Sequence, residues 1–129
     1  MNLFQRLKIW KDLRALEARA REEPSPSTFV DLGQVYINLG TAERTLQVAE
    51  EGLALFPDSD ELRKLRRFAM KSQLNSRIND LRARLNKGPA PRLYRELAGL
   101  YLEKGDFGSV HGTCEECIRR FPDDGETWL

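Results

Sequence analysis

"FVDLGQVYINLG", residues 29–40, recurs 65 positions later in altered form as "YRELAGLYLEKG", residues 94–105. In both segments apolar residues follow one another at intervals of three or four, which is the spacing of one face of a helix, and a glycine ends the run. The same shift also aligns the Phe-Pro-Asp triplets that begin at Phe56 and Phe121. The identical positions of the two segments are Leu32 with Leu97, Tyr36 with Tyr101 and Gly40 with Gly105. The chain therefore contains a duplicated unit.

Each copy of this unit has the pattern of two consecutive helices. After the glycine a second apolar stripe with helical spacing follows, and it ends at Pro57 in the first copy and at Pro122 in the second. Pro91 lies just inside the first helix of the later copy, where a missing backbone N–H costs nothing. No segment alternates between apolar and polar residues for long enough to predict a strand. The pattern predicts an all-α fold.

The two copies resemble the tetratricopeptide repeat, a 34-residue helix pair with the pattern W-x-x-L-G-x-x-Y, then A-x-x-x-F, then P. Phe29 and Tyr94 stand where the family has its Trp. The matching positions are Leu32, Gly33, Tyr36 and Pro57 in the first copy and Leu97, Tyr101 and Pro122 in the second. The resemblance implies a tetratricopeptide-like solenoid of about six to seven antiparallel helices.

On this interpretation the chain forms a single domain of stacked helices. Its parts are an N-terminal packing helix over 1–23, repeat units over 27–57 and 91–122, a degenerate unit over 59–88 and the start of a further unit over 123–129. Trp128 would be the first aromatic residue of that further unit. We therefore expect that the chain is a piece of a longer repeat protein, or that another chain covers this end.

Residues 60–87 leave two interpretations open. Leu62, Leu65 and Ala69 form one apolar stripe, and a second stripe with helical spacing begins at Leu74. Weak helix formers cluster at Ser72–Ser76, where the turn of a hairpin would fall, but neither Gly nor Pro enforces that turn. We favour an antiparallel hairpin, and one long helix is the alternative.

Both cysteines and the only histidine lie close together, at His111, Cys114 and Cys117. A zinc site needs about four ligands, and spacings of three residues drift around a helix. A reactive thiol gains its low pKa from a helix N-terminus or a nearby cation, whereas here Glu115 and Glu116 separate the two cysteines. Because free Cys behaves as a small hydrophobe, we expect Cys114 and Cys117 to be buried packing residues without a metal.

The sequence offers no arrangement of residues that suggests catalysis. Paired carboxylates, a Ser–His–Asp set and a phosphate-binding glycine loop are all missing, so we expect neither an enzyme nor a cofactor. The net charge of +1 argues against a nucleic-acid partner. Residues 60–87 nevertheless hold nine Lys or Arg against three Asp or Glu. This segment is either a solvated helix face or a basic strip for an acidic partner.

The family resemblance also implies a function, because such solenoids bind peptides of other proteins on their concave side. By this resemblance the chain is a scaffold or adaptor that binds a partner peptide in its groove. The basic residues Lys64, Lys71, Arg92 and Arg95 predict that this peptide is extended and acidic. The implied groove residues are Val30, Gln34, Ile37 and Asn38 in the first unit, Lys64, Phe68 and Lys71 in the middle segment, and Arg92, Arg95, Leu102 and Glu103 in the last unit.

Two alternatives remain beside a groove that binds a partner. The first is self-assembly, because the apolar face of helix 107–120, with Val110, Cys114 and Ile118, lacks a covering helix in the sequence. The second is membrane-surface binding through residues 1–11, where Leu3, Phe4, Leu7 and Trp10 share one helical side beside basic residues. We favour the interpretation in which that side packs against the solenoid and caps it. Two cysteines without a signal peptide predict a cytoplasmic location.

Overall fold

In the computed structural model the described residues, 2–123, form six helices and no strand. The predicted all-α class is therefore confirmed. The helices are α1 (Leu3–Glu22), α2 (Pro26–Asn38), α3 (Ala42–Leu55), α4 (Asp60–Lys87), α5 (Pro91–Lys104) and α6 (Phe107–Arg120). The proposed further unit over 123–129, with Trp128, falls almost entirely outside the described residues.

Local chemistry fixes where these helices begin and end. Ser25 caps α2: its Oγ accepts from the backbone N–H of Thr28, and its own N–H donates to Thr28 Oγ1. Gly40 and Gly105 follow the first helix of each repeat with φ of 77° and 82°. Only glycine enters this left-handed region without a steric cost, so the chain turns at both glycines into the next helix.

The predicted hairpin in residues 60–87 is wrong, because α4 is one unbroken helix from Asp60 to Lys87. Ser72, Asn75 and Ser76 lie inside this helix. In a helix interior each of these residues lowers helix stability by only about 0.5 kcal/mol relative to Ala. Without a Gly or Pro to end the helix, that cost is too small to break it.

The buried apolar residues of α4 lie on different sides of the helix in its two halves. In the sequence this change of side resembles a turn between two helices. Leu62, Leu65 and Ala69 are buried in the first half of the helix, and Ile78 and Leu81 are buried in the second half. Ile78 follows Ala69 by nine residues, which at 3.6 residues per turn is about two and a half turns, so the two residues lie on opposite sides of the helix. The two stripes therefore belong to one helix that buries different sides along its length.

The chain divides into two compact units between Ser72 and Gln73, inside α4. Unit 1 denotes the described residues up to Ser72, and unit 2 denotes those from Gln73. Unit 1 has α1, α2, α3 and the first half of α4 around its own core, and unit 2 has the second half of α4 with α5 and α6 around another.

Inside unit 1, α4 packs closely against α2 and α3 because two glycines leave room for leucines. A methyl group added at Gly33 of α2 would lie 2.5 Å from Cδ2 of Leu65. A methyl group added at Gly52 of α3 would lie 2.9 Å from Cδ1 of Leu62. Both leucines belong to the same buried cluster as Ala49 of α3. The outer face of the α2–α3 hairpin is thus covered by the first half of α4.

The duplication found in the sequence extends to three helices in each unit. The ends of α3 and α6 match under the 65-residue shift, and so do the starts of α2 and α5. The second half of α4 corresponds to α1: Leu13, Leu16 and Ala20 pack against the core of unit 1, and Ile78, Leu81 and Leu85 pack at the matching positions of unit 2. Edge-to-face ring pairs also match. The ring centroids of Phe29 and Phe56 are 6.5 Å apart, and those of Tyr94 and Phe121 are 6.3 Å apart.

Candidate partner-binding surfaces

In unit 1 the groove residues predicted on α2 differ in exposure. Gln34 and Asn38 are exposed, whereas Val30 and Ile37 are half-buried against the core. On the first half of α4, Lys64, Phe68 and Lys71 are all exposed. Spacings of four and three residues place these three side chains on one side of the helix. Unit 1 therefore offers two polar groups on α2 and a basic strip with one phenyl ring on α4.

In unit 2 all four predicted groove residues of α5 are exposed. Arg92, Arg95, Leu102 and Glu103 occupy one side of the helix, with Gly99 at its centre. We call these five residues the α5 strip. Leu102 keeps 57% of its surface exposed. Neither Arg92 nor Arg95 forms an ion pair with another described residue.

A cleft of about 460 Å³ borders the α5 strip within unit 2. It lies between the second half of α4 and α5, and Gly99 belongs to both the cleft and the strip. Its lining residues are Arg77, Asp80, Leu81, Arg84, Glu96, Gly99 and Leu100. Two arginines, Arg77 and Arg84, and two carboxylates, Asp80 and Glu96, thus balance in formal charge along the cleft.

The two cysteines differ in burial. Cys117 is buried, as predicted, whereas Cys114 is only half-buried, so the prediction of burial is wrong for Cys114. Burial raises the pKa of the Cys114 thiol, and the neighbouring Cys117 raises it further. Both effects oppose formation of the reactive thiolate. Both thiols are free, and between Asn2 and Asp123 no group of three or more His, Cys, Asp or Glu is placed to hold a metal ion.

The outer side of α6 is an apolar surface that is less buried than its counterpart in unit 1. Val110 and Cys114 are half-buried and Ile118 is 53% exposed, which confirms the predicted partly uncovered face. Phe107, 69% exposed, extends this surface by one turn and was missed in the sequence analysis. We call these four residues the α6 face. The spacing 107, 110, 114 and 118 is helical and could have identified Phe107.

The first half of α1 carries a second exposed apolar surface. Leu3, Phe4, Leu7 and Trp10 are all exposed, and we call them the α1 stripe. The guanidinium of Arg14 lies 4.1 Å from the centre of the Trp10 ring. The expected capping contact of this stripe is therefore absent among the described residues. Further along the helix α1 packs on α2, where the Tyr36 hydroxyl donates to Glu17 Oε1 at 2.8 Å.

Comparison of the chain with protein-family models and with curated proteins gives no match. None of the helices in the described part of the chain combines the length and the apolar character needed to cross a membrane.

Proposed function

We propose that this chain is a non-catalytic protein-binding module, a tetratricopeptide-like helical repeat that takes an extended acidic peptide on the α5 strip. The duplicated pairs of antiparallel helices support the repeat interpretation. The observation that carries the binding proposal is the α5 strip itself: Arg92 and Arg95 without ion pairs to described residues, beside an exposed Leu102.

The arginine end of the strip suits peptide carboxylates, and the acidic Glu103 lies at the other end beside Leu102, which suits an apolar side chain. Arg92 and Arg95 can each form bidentate hydrogen bonds with a carboxylate. Gly99 has no atom within 4 Å of the point where a side chain would begin, so a peptide backbone can approach this part of α5 closely. Leu102 then offers apolar contact area one turn further along the helix. Arginine guanidinium groups stay protonated at neutral pH, so the strip is suited to binding rather than to proton transfer.

Display of random peptides against the intact protein tests this proposal. We expect enrichment of acidic sequences that contain an apolar residue. The affinity of an enriched peptide, measured by fluorescence anisotropy, should fall by about tenfold or more when Arg92→Glu and Arg95→Glu are combined. The matched control combines Arg19→Glu with Arg119→Glu, two exposed arginines on α1 and α6, and makes the same change in net charge. Equal weakening by both double variants, or enrichment without acidic residues, would reject the α5 strip.

A further inference from the structure

Each unit has a cleft at the same place in the repeat, bordered by its hairpin and by the helix that precedes the hairpin. In unit 2 this cleft lies between the second half of α4 and the α5–α6 hairpin, with a volume of about 640 Å³. In unit 1 it lies between α1 and the α2–α3 hairpin, with a volume of about 570 Å³. Every residue that lines the unit 2 cleft has a counterpart 65 positions earlier in the lining of the unit 1 cleft. The differences between the two linings therefore show what is particular to unit 2.

In unit 1 the tyrosine hydroxyl of the cleft has a partner within the chain. Tyr36 is buried, and its hydroxyl donates to Glu17 Oε1 at 2.8 Å. In unit 2 the matching residues are Tyr101 and Arg82. A guanidinium group only donates, so Arg82 cannot take the place of the Glu17 carboxylate. Tyr101 is 6% exposed, and its hydroxyl forms no hydrogen bond with another described residue.

Unit 2 adds a second tyrosine hydroxyl to this cleft, because Tyr94 replaces Phe29. Burial raises the pKa of Tyr94, the charge of Glu116 raises it further, and the charge of Arg120 lowers it. The hydroxyl therefore lies near these two residues on the α6 side of the cleft. Tyr94 is 2% exposed, and it too has no hydrogen-bond partner in the described part of the chain. Because buried polar groups are nearly always hydrogen-bonded, both hydroxyls are suited to bind a molecule in the cleft.

The side of the cleft formed by α6 has shorter side chains than the matching side formed by α3. Ser109 and Gly112 of α6 replace Arg44 and Gln47 of α3. No atom lies within 4 Å of the point where a side chain at Gly112 would begin. The cleft volume falls in the range of small-molecule sites, roughly 300–1,000 Å³. Unit 2 thus has room for a small molecule where unit 1 has two long side chains.

The charges of the unit 2 cleft favour an anion. Arg120 pairs with Glu116, with 3.5 Å between Arg120 Nε and Glu116 Oε1. Arg82 forms no ion pair with a described residue. Two arginines against one glutamate give this lining a formal charge of +1, whereas two arginines and two glutamates balance in the unit 1 cleft. The unit 2 cleft is therefore complementary to a single negative charge.

We propose that the unit 2 cleft binds a small organic acid through its carboxylate. Arg82 and the Tyr101 hydroxyl bind the carboxylate, because a guanidinium fork matches its two oxygens. The buried Leu85 and Leu97 in the lining contact the apolar body of the acid. A phosphate group carries about −1.5 to −2 charges at neutral pH and matches a lining of +1 less well. The cleft shares no residue with the α5 strip, so this site is independent of peptide binding there.

NMR titration of the isotope-labelled protein with benzoate and naphthoate tests the proposal, with the neutral amide of each acid as the comparison. We expect both acids to shift the backbone amide signals of Gly112 and Thr113. Each acid should bind about tenfold or more tightly than its amide, because the amide cannot form the charged hydrogen bonds with Arg82. Phenyl phosphate should bind more weakly than benzoate. Equal affinity of acid and amide, tighter binding of phenyl phosphate, or no shift at this cleft would overturn the proposal.

Two substitutions that introduce the residues of unit 1 locate the site. Arg82→Glu replaces the cation by the carboxylate that unit 1 has at Glu17, and Gly112→Gln introduces the side chain of Gln47. We expect each to weaken binding of both acids by about tenfold or more. Both positions are exposed, so the helices should be retained, and circular dichroism melts check this.

The matched control for Arg82→Glu is Arg67→Glu. Arg67 is exposed in the first half of α4 and lines none of the described clefts, and its substitution makes the same change in net charge. It should leave the affinity for both acids unchanged. Equal weakening by Arg67→Glu and Arg82→Glu would show an effect of overall charge and would reject the site.

Tyr101→Phe separates a binding role of the hydroxyl from a structural role. Because this hydroxyl has no partner among the described residues, its removal should not lower the free energy of unfolding in urea denaturation. It should weaken benzoate binding by about fivefold, the usual net value of one hydrogen bond. A loss of stability with unchanged benzoate affinity would contradict the role of Tyr101 in the site.

Discussion

Gly52 shows at the scale of one residue why α4 can lie against α3. A side chain at this position would have to enter the space that Leu62 and Phe29 fill. We expect Gly52→Ala to lower the free energy of unfolding by about 1–3 kcal/mol in urea denaturation, because its methyl group would lie 2.9 Å from Cδ1 of Leu62 and 3.0 Å from Cγ of Phe29.

The matched control for Gly52 is Gly112→Ala in α6. No atom lies within 4 Å of a methyl group at Gly112, so this substitution should stabilise the protein by about 0.5–1 kcal/mol through helix propensity alone. Equal effects of the two substitutions would show that α4 does not approach α3 as closely as described.

Cys117 and Cys114 differ in burial, and this difference should appear in their tolerance of a hydroxyl group. Cys117 has only 1% of its surface exposed. Cys117→Ser should lower the free energy of unfolding by about 1–3 kcal/mol, because a buried hydroxyl without a partner loses its hydrogen bonds to water. Cys114→Ser should cost less, since water reaches that side chain. Chemical denaturation of both variants measures the difference, and a larger loss for Cys114→Ser would contradict it.

At the scale of elements, a single polar contact between α1 and α2 adds to their apolar packing. The Tyr36 hydroxyl donates to the Glu17 carboxylate at 2.8 Å. We expect Tyr36→Phe to lower the free energy of unfolding by about 1 kcal/mol at pH 7, the usual net worth of such a bond. Tyr101→Phe is the control, because Arg82 occupies the position of Glu17 in unit 2 and cannot accept a hydrogen bond.

The contribution of Tyr36 should also depend on pH. Burial raises the pKa of Tyr36, and the hydrogen bond to Glu17 raises it further. A group whose pKa is raised by folding stabilises the protein below its unfolded pKa, here about 10, and loses that contribution as the pH rises through the folded value. The difference in Tm between the unmodified chain and Tyr36→Phe should therefore persist at neutral pH and shrink above about pH 10. A constant difference up to pH 11 would contradict this role.

The continuity of α4 is open to a direct distance measurement. Spin labels at Arg66→Cys and Arg82→Cys, with Cys114 and Cys117 replaced by Ala, lie 16 residues apart in one helix. The rise per residue separates their Cα atoms by about 24 Å, whereas a hairpin turning at 72–76 would bring them to about 10 Å. A distance distribution centred near the shorter value would support a hairpin in residues 60–87 and contradict one continuous helix.

The ends of the helices were predicted correctly where Gly or Pro follows the helix. The prediction failed in α4, where only the spacing of apolar residues was available. Gly40, Pro57, Gly105 and Pro122 mark the ends of predicted helices, and the structure turns at each. In α4 the stripe changes side between Ala69 and Ile78, and periodicity cannot distinguish such a change from a turn between two helices. Only the tertiary contacts of each half decide between them.

At the scale of the whole molecule, the 65-residue shift read from the sequence identified the duplication but not its full extent. The evidence for this shift was the identical Leu, Tyr and Gly residues in the segments of α2 and α5. The third helix of each unit, α1 and the second half of α4, shares the tetrapeptide Asp-Leu-Arg-Ala at residues 12–15 and 80–83, but at a shift of 68 residues and not 65. The exposure of the predicted α5 residues could be inferred from their positions around the helix. Helical spacing could have assigned Phe107 to the apolar side of α6, whereas its exposure depends on what packs beside that helix.

Peptide binding on the α5 strip should depend on the salt concentration. Peptide binding at Arg92 and Arg95 relies on charges near the surface, and the Debye length falls from about 10 Å at 0.1 M to about 3 Å at 1 M salt. We expect peptide affinity to fall over this range. Fluorescence anisotropy of an enriched peptide at both salt concentrations measures this change. A constant affinity would contradict a contact made by the charges of Arg92 and Arg95.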